Sequence, residues 1–432
     1  MNVLRALRYR NYRLFFGGQI VSLIGTWMTT TATAWLVYRL TGSALLLGVI
    51  GFASQAPAFF LSPVAGLLVD RWSRHRILLA TQMLAMVQSL ILAALTLTGR
   101  ITIPGLLILS VFQGMINSFD LPARQAFVFE MIENKEDMAN AIALNSSMFN
   151  AARLLGPSLG GMVIAALGEG WCFLIDGVSY LAVLAALLAM KMKPGEKSPP
   201  KGNALKEMRE GWAYALNSKP IRSIISLLAL ASLVGAPYGV LMPIFAGKIL
   251  GGGPNTLGYL MTAAAAGALL GALWLAGRKS VLGLGRIIAQ ATGIFGLGLI
   301  AFSFSRTLWI SLSFLAFMGW GFMVLMASCN TILQTIVDDD KRGRVMSIFI
   351  MAFMAASPLG SLLAGALSQK IGAPNTLQIC GLFCLAGAYW FYRQLPALGR
   401  AIRPIYVRMG ILPQVADGIQ TAAQLSTIEH QD

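Results

Sequence analysis

The sequence predicts an all-α membrane protein of twelve transmembrane helices in two six-helix bundles, and three observations carry that reading. Of its 432 residues 56% are hydrophobic and only 12% charged, whereas soluble domains carry about 25% charged residues. The apolar residues gather into about twelve runs, each near the roughly 20 residues that a spanning helix needs. Short polar turns separate these runs, and only the stretch 193–202, rich in Lys, Pro and Gly, breaks the pattern completely.

Taken in order, Arg5 to Arg13 is a basic segment with no small-residue cleavage site after a short apolar core, so no removable signal is expected. It should lie along the inner membrane surface. The first six runs centre near Ser22, Phe52, Met86, Phe112, Asn150 and Leu181. A linker follows, in which Leu205, Met208, Trp212 and Ala215 share one face of a predicted surface helix over Ala204 to Leu216. The second six centre near Leu233, Ala265, Phe295, Phe317, Met354 and Leu385. Beyond Pro396, Arg400, Arg403 and Arg408 stand among Ile402, Ile405 and Tyr406, which reads as a surface-bound piece before a disordered polar end. The expected divisions are a first bundle over 1–193, a linker over 194–219, a second bundle over 220–395 and a tail over 396–432.

Charge sets the orientation. Of the 33 Lys and Arg, 27 fall in the N-terminal segment, the even loops and the tail, five fall in odd loops, and Arg153 lies inside a span. Positive charge marks the cytoplasmic side, so both termini are expected there, in a multi-pass protein of the plasma membrane. The net charge of +16 is then topological. Nucleic acid is not an expected partner; anionic membrane lipid is.

The halves echo one another at roughly two hundred residues, as parallel bundles do. Leu47-Gly48 opens span 2 and Leu257-Gly258 opens span 8; Gly156-Pro157-Ser158-Leu159-Gly160-Gly161 in span 5 echoes Ser357-Pro358-Leu359-Gly360-Ser361 in span 11.

Between spans 2 and 3 lies the charged turn Gly66-Leu67-Leu68-Val69-Asp70-Arg71-Trp72-Ser73-Arg74-His75-Arg76. It resembles the signature loop of major facilitator superfamily transporters, with Ser73 where glycine is usual and His75 where lysine is common. The resemblance implies the major facilitator fold, bacterial inner-membrane placement, and a conformational gate of Gly66, Asp70, Arg71 and Arg74, joined by Arg344 of the second half. Gly66 would let two helices approach, and Asp70 would meet a helix N-terminus or an arginine. The plainer reading is that these arginines only mark the cytoplasmic side.

Span 5 is similar to the motif of antiporter members at Gly156, Pro157, Gly160 and Gly161, with Ala152 in place of the first glycine. Proline removes a helix hydrogen bond and glycine permits close contact. A simple packing seam is the alternative. Asn11 to Gln19, Phe119 to Phe127 and Asn145 to Gly161 resemble the exporter branch of transmembrane secretion effectors, which holds the enterobactin exporter and macrolide efflux proteins. That resemblance implies a monomeric secondary transporter exporting a small amphipathic organic molecule, drug-like or siderophore, by alternating access in exchange for protons. Ser110 departs from it, standing where many drug antiporters have arginine. Uptake, lipid flipping, or a non-transporting sensor or scaffold are the competing readings.

Acidic residues are absent between Glu210 and Asp338 and again between Asp340 and Asp417, so the second bundle holds no acid inside its spans. A proton-carrying carboxylate therefore belongs to the first half, and the candidates are Asp120 and Asp176. Asp120→Asn is expected to abolish coupled efflux and preserve the fold. Arg153 is expected to pair with Asp120 in one conformation or to meet an anionic substrate. Asp120 alternatively caps or turns the chain before Pro122, and Asp176 alternatively bonds a neighbouring helix in an outer vestibule. Candidate cavity residues are Gln19, Trp27, Tyr38, Gln55, Gln113, Asn117, Asn150, Tyr238, Trp320 and Asn330, a mixture suited to amphipathic molecules. His75 and His430 are the only histidines. With no zinc, phosphate-loop or nucleophile-elbow pattern, neither an enzyme nor a cofactor or metal site is expected.

Overall fold

A computed structural model describes residues 4–191, 212–235, 237–278 and 280–409. Twelve long helices run through them: α1 (Arg10–Thr41), α2 (Ala44–Arg71), α3 (Arg74–Leu97), α4 (Ile103–Met131), α5 (Lys135–Leu167) and α6 (Glu169–Ala189) in the first half. The second half holds α7 (Lys219–Ile249), α8 (Pro254–Ala276), α9 (Leu284–Phe304), α10 (Leu308–Ile336), α11 (Asp339–Ile371) and α12 (Ala373–Arg408). Ten are long and apolar enough to cross a membrane. The other two are α5 and α12, at 33 and 36 residues; Asn145, Ser146, Ser147, Asn150 and Arg153 dilute the apolar content of α5. Most of the predicted linker, residues 192–211, and the tail from 410 onward lie outside the described residues, and 212–217 are helical.

Capping explains several boundaries. Ser43, Thr102 and Asn134 each accept a backbone N–H in the first turn of α2, α4 and α5, which satisfies donors a helix start leaves open. The prolines do not end helices here. Pro122, Pro157 and Pro358 lie inside α4, α5 and α11, as membrane helices tolerate where neighbours re-satisfy the backbone. In α7 the regular pattern loosens into π-helical turns at Ala231–Gly235 and Phe245–Ile249.

The two halves are built alike. α1 packs on α5 and α6, α3 on α4 and α6, and α2 on α4. The second half repeats this with α8 on α10 and α9 on α10 and α12. Between the halves the two principal seams are also equivalent, α2 against α11 and α5 against α8. Before α1, a 3-10 turn at Arg5–Arg8 is fastened to the start of α5: Ala6 N donates to Asn140 Oδ1 at 2.9 Å, and Arg8 pairs with Asp137. Four ion pairs occur among the described residues, Arg8 with Asp137, Arg39 with Glu169, Arg74 with Glu130 and Arg124 with Asp120, and all four lie within the first half.

Candidate transport cavity between the halves

The seams are made by small residues that bring backbones together. A Cβ on Gly48 would lie 2.6 Å from the Ser361 carbonyl, and one on Gly258 would lie 2.5 Å from the Pro157 carbonyl. These glycines are the ones that echo each other in the sequence. Gly161 abuts Pro254 and Asn255, whereas Gly156 and Gly160 fit against Trp27 and Met28 of α1. The span 5 motif thus packs α5 on two helices at once.

Register shows how far each seam extends. Along α2 and α11 the contacts step from Ser43 with Gln369 through Gly48 with Gly365 and Gly51 with Ser361 to Gln55, whose Oε1 accepts from Ser357 Oγ at 3.4 Å. The same register would next oppose residue 62 to Ile350 and Gly66 to Met346. Instead Ile350 is 52% exposed and a Cβ on Gly66 would meet nothing within 4 Å. The close approach expected at Gly66 is not made in this arrangement, because α2 and α11 have parted there. Along α5 and α8 the last ties are Thr262 Oγ1 donating to Leu154 O at 3.1 Å and the Ser158 and Thr262 hydroxyls 2.7 Å apart. Further along, no tie between α5 and α8 follows among the described residues, and Leu269, in register with Thr262, is half-buried. Both seams therefore close the end opposite the basic loops and leave the basic end apart.

Arg153 lies one residue beyond the last tie of α5, at the apex of the resulting space. It is half-buried, and among the described residues it has no hydrogen bond and no ion pair. Its charge acts on Tyr238 of α7, which lies deep in the protein yet keeps part of its surface accessible. From Tyr238 a train of rings runs through Phe295 and Phe322 to Phe353, with centroids 6.4, 5.1 and 6.4 Å apart. Phe295 is fully buried, while Tyr238, Phe322 and Phe353 keep part of their surface accessible; a cation near such rings suits a molecule with one acidic end and an apolar body.

The carboxylates lie elsewhere. Asp120, 2% exposed, sits inside α4 and not at a cap or turn. It accepts from Thr81 Oγ1 at 2.9 Å and Gln82 Nε2 at 2.7 Å and pairs with Arg124 one turn on, so its cation is Arg124 and not Arg153. Asp176, 1% exposed, is held among α1, α3 and α6 by Ser89 at 2.8 Å, Thr29 at 3.0 Å and Thr26 at 3.4 Å.

Of the other expected cavity residues, Gln55 is exposed beside Ser357, and Asn150 and Trp27 are half-buried near Arg153, with Trp27 edge-on to Phe149. Gln113 and Asn117 bond each other at 3.1 Å on α4. Gln19 is buried at 2%, on the α1 face it shares with Phe15, Ser22 and Leu23, and does not reach the cavity. Tyr38 lies against Gly247 at the closed end. Trp320 packs at a tilt against Trp274 of α8, and Asn330 accepts from Gln334.

At the basic end, Arg74 bonds Glu130 at 2.8 Å and His75 Nε2 lies 2.8 Å from the Leu187 carbonyl, which ties the charged turn to α4 and α6. Arg71 is exposed, Arg344 is half-buried near the start of α11, and the Asp70 side chain is outside the described residues. Tyr214 reaches Asp338 at 3.4 Å; burial pushes its phenol up, and that carboxylate adds to the effect.

A family model described as transmembrane secretion effector matches residues 2–404. The staphyloferrin A transporter of Staphylococcus aureus is 26% identical over 88% of this chain and 95% of its own. Multidrug efflux pump Tap of Mycolicibacterium fortuitum is 25% identical over 82% and 88%, and macrolide efflux protein A of Streptococcus pyogenes 22% over 88% and 96%. Among solved structures, a bacterial homolog of the human lysosomal transporter Spinster, inward-facing and unoccupied, superposes with a TM-score of 0.70 at 15% identity, over 92% of this chain and 98% of that one.

Proposed function

The chain belongs to the transmembrane secretion effector family of major facilitator transporters, and from that premise we propose that it exports a small amphipathic organic molecule, drug-like or siderophore, by alternating access. The observation that carries this reading is the space closed at one end by the two seams, with Arg153 at its apex. Basic loops mark the cytoplasmic side, so the space opens to the cytoplasm, from which an exporter loads. The names of the relatives, a siderophore transporter and efflux pumps for drugs and macrolides, support the same substrate range. Arg153 meets the acidic group of the substrate. An arginine cannot give up its charge, and in a low-dielectric cavity that charge favours an anion.

Exchange for protons is the coupling we assign, through a carboxylate of the first half. Asp120 is committed to a permanent cation in Arg124. Asp176 is surrounded by hydroxyls, which donate or accept and so serve either protonation state. It is the better suited group to bind and release a proton.

The test is flux in proteoliposomes under an imposed pH gradient, with siderophores and acidic and neutral amphipaths. Wild-type protein should concentrate an acidic amphipath when the gradient is applied. Charge-assisted bonds contribute about 1.5–3 kcal/mol, so Arg153→Ala should weaken acidic substrates about 10-fold to 100-fold and spare neutral ones. Asp176→Asn should leave downhill exchange but remove the response to the gradient. Equal losses for acidic and neutral compounds would remove the anion-binding role, and no flux of any compound would favour a sensor or scaffold.

A further inference from the structure

A second cavity, of about 670 Å³, lies at the basic end of the second bundle. The start of α9, the basic-end parts of α7 and α10, and α12 on either side of Pro396 form its walls. Its interior is apolar, with Ile224, Ile332, Phe391 and Leu395, and its mouth carries Arg286, Arg393 and Arg403. No acidic residue lines it. Arg393 is steadied by Tyr389, whose hydroxyl is 3.1 Å from Nη1. Arg286 and Arg403 are exposed and, among the described residues, have no side-chain hydrogen bond or ion pair.

The cavity exists because α12 does not stop where the apolar run does. It continues through Pro396 to Arg408, and Leu398 and Tyr406 are buried in the same apolar cluster as Ile221 and Leu284. The helix therefore crosses the level at which α9 begins and leaves a gap beside it. At that level hydrocarbon gives way to headgroups, so an apolar hollow rimmed by three arginines meets both parts of a lipid at once.

We propose that this cavity is a binding site for an anionic phospholipid, with the acyl chains against Phe391 and Leu395 and the phosphate among Arg286, Arg393 and Arg403. Guanidinium groups bind phosphate through paired N–H donors, and basic pockets between spanning helices on the cytoplasmic side suit such headgroups. The apolar lining separates a lipid from free phosphate, which shares the headgroup chemistry but has nothing to place there.

The test is lipid binding to the full-length protein in neutral detergent, read by native mass spectrometry with phosphatidylglycerol, phosphatidylcholine and inorganic phosphate. Wild-type protein should hold phosphatidylglycerol at least about tenfold more tightly than phosphatidylcholine, and inorganic phosphate should not displace it. The triple change Arg286→Gln, Arg393→Gln and Arg403→Gln should weaken binding on the order of 100-fold. The same neutralisation at Arg5, Arg10 and Arg13 should leave it within about twofold. Gly399→Phe keeps every charge and fills the hollow, since a Cβ there meets nothing within 4 Å; it too should exclude the lipid. Undiminished binding in both the triple variant and Gly399→Phe, equal affinity for phosphatidylcholine, or displacement by inorganic phosphate would each overturn the site.

Discussion

Gly258→Leu is expected to stop transport while the protein stays folded. The Pro157 carbonyl already lies 2.5 Å from where a Cβ would be, and that atom is backbone, which cannot rotate aside. Overpacking costs about 1–3 kcal/mol even in cores able to adjust. Here the bundles escape the clash by staying apart at the end they now close. That cost alone shifts a two-state equilibrium roughly 5-fold to 150-fold toward the other arrangement. The check is a single cysteine at Ser158, probed with a membrane-impermeant maleimide from the side opposite the basic loops. It should react in Gly258→Leu and be protected otherwise, with flux falling in parallel. The native cysteines are all buried and should interfere little. Normal flux with continued protection would mean that the seam yields without opening. Gly48→Leu should behave alike, since it stands in the equivalent place against Ser361.

Asp120→Asn should destabilise the first bundle by about 3–5 kcal/mol, the cost of leaving a buried ion without its partner. Arg124 would then keep its charge with only amide and hydroxyl neighbours, and its Nε is already without a hydrogen-bond partner. The sequence alone led to the opposite expectation, loss of coupling with the fold intact, because Asp120 was read apart from Arg124. Thermal unfolding of the single variant against Asp120→Asn with Arg124→Gln separates the two ideas. The double variant should recover most of the loss. If the single variant melts like wild type and only loses its response to a pH gradient, the ion pair is dispensable and Asp120 returns as the proton site.

That misreading shows where the sequence was legible. The spacing of Asp120 and Arg124 is one helical turn, but Pro122 between them suggested a break, and α4 runs straight through it. Pro396 misled in the same way and hid the extension of α12. A proline in a soluble helix interior is a sound stop signal; among packed spanning helices it is not. By contrast, the paired Leu-Gly openings of spans 2 and 8 and the echo between spans 5 and 11 marked the very residues that join the halves. Close packing leaves a compositional trace because only small residues allow it. The hydroxyls around Asp176 left none, since Thr26, Thr29 and Ser89 come from separate helices and are ordinary at each position.

The four ion pairs among the described residues all fall inside the first half, and at the closed end the seams between the halves hold close backbone contacts, hydroxyl and amide bonds and apolar packing. Parting those closed-end contacts strips no charge of a described partner. A joint of this kind resembles two smooth surfaces pressed together more than a lock: it holds by fit over its length and releases without a single strong bond to break. The closed-end seams can then part at little cost, and salt, which weakens charge pairs, should leave those contacts almost untouched.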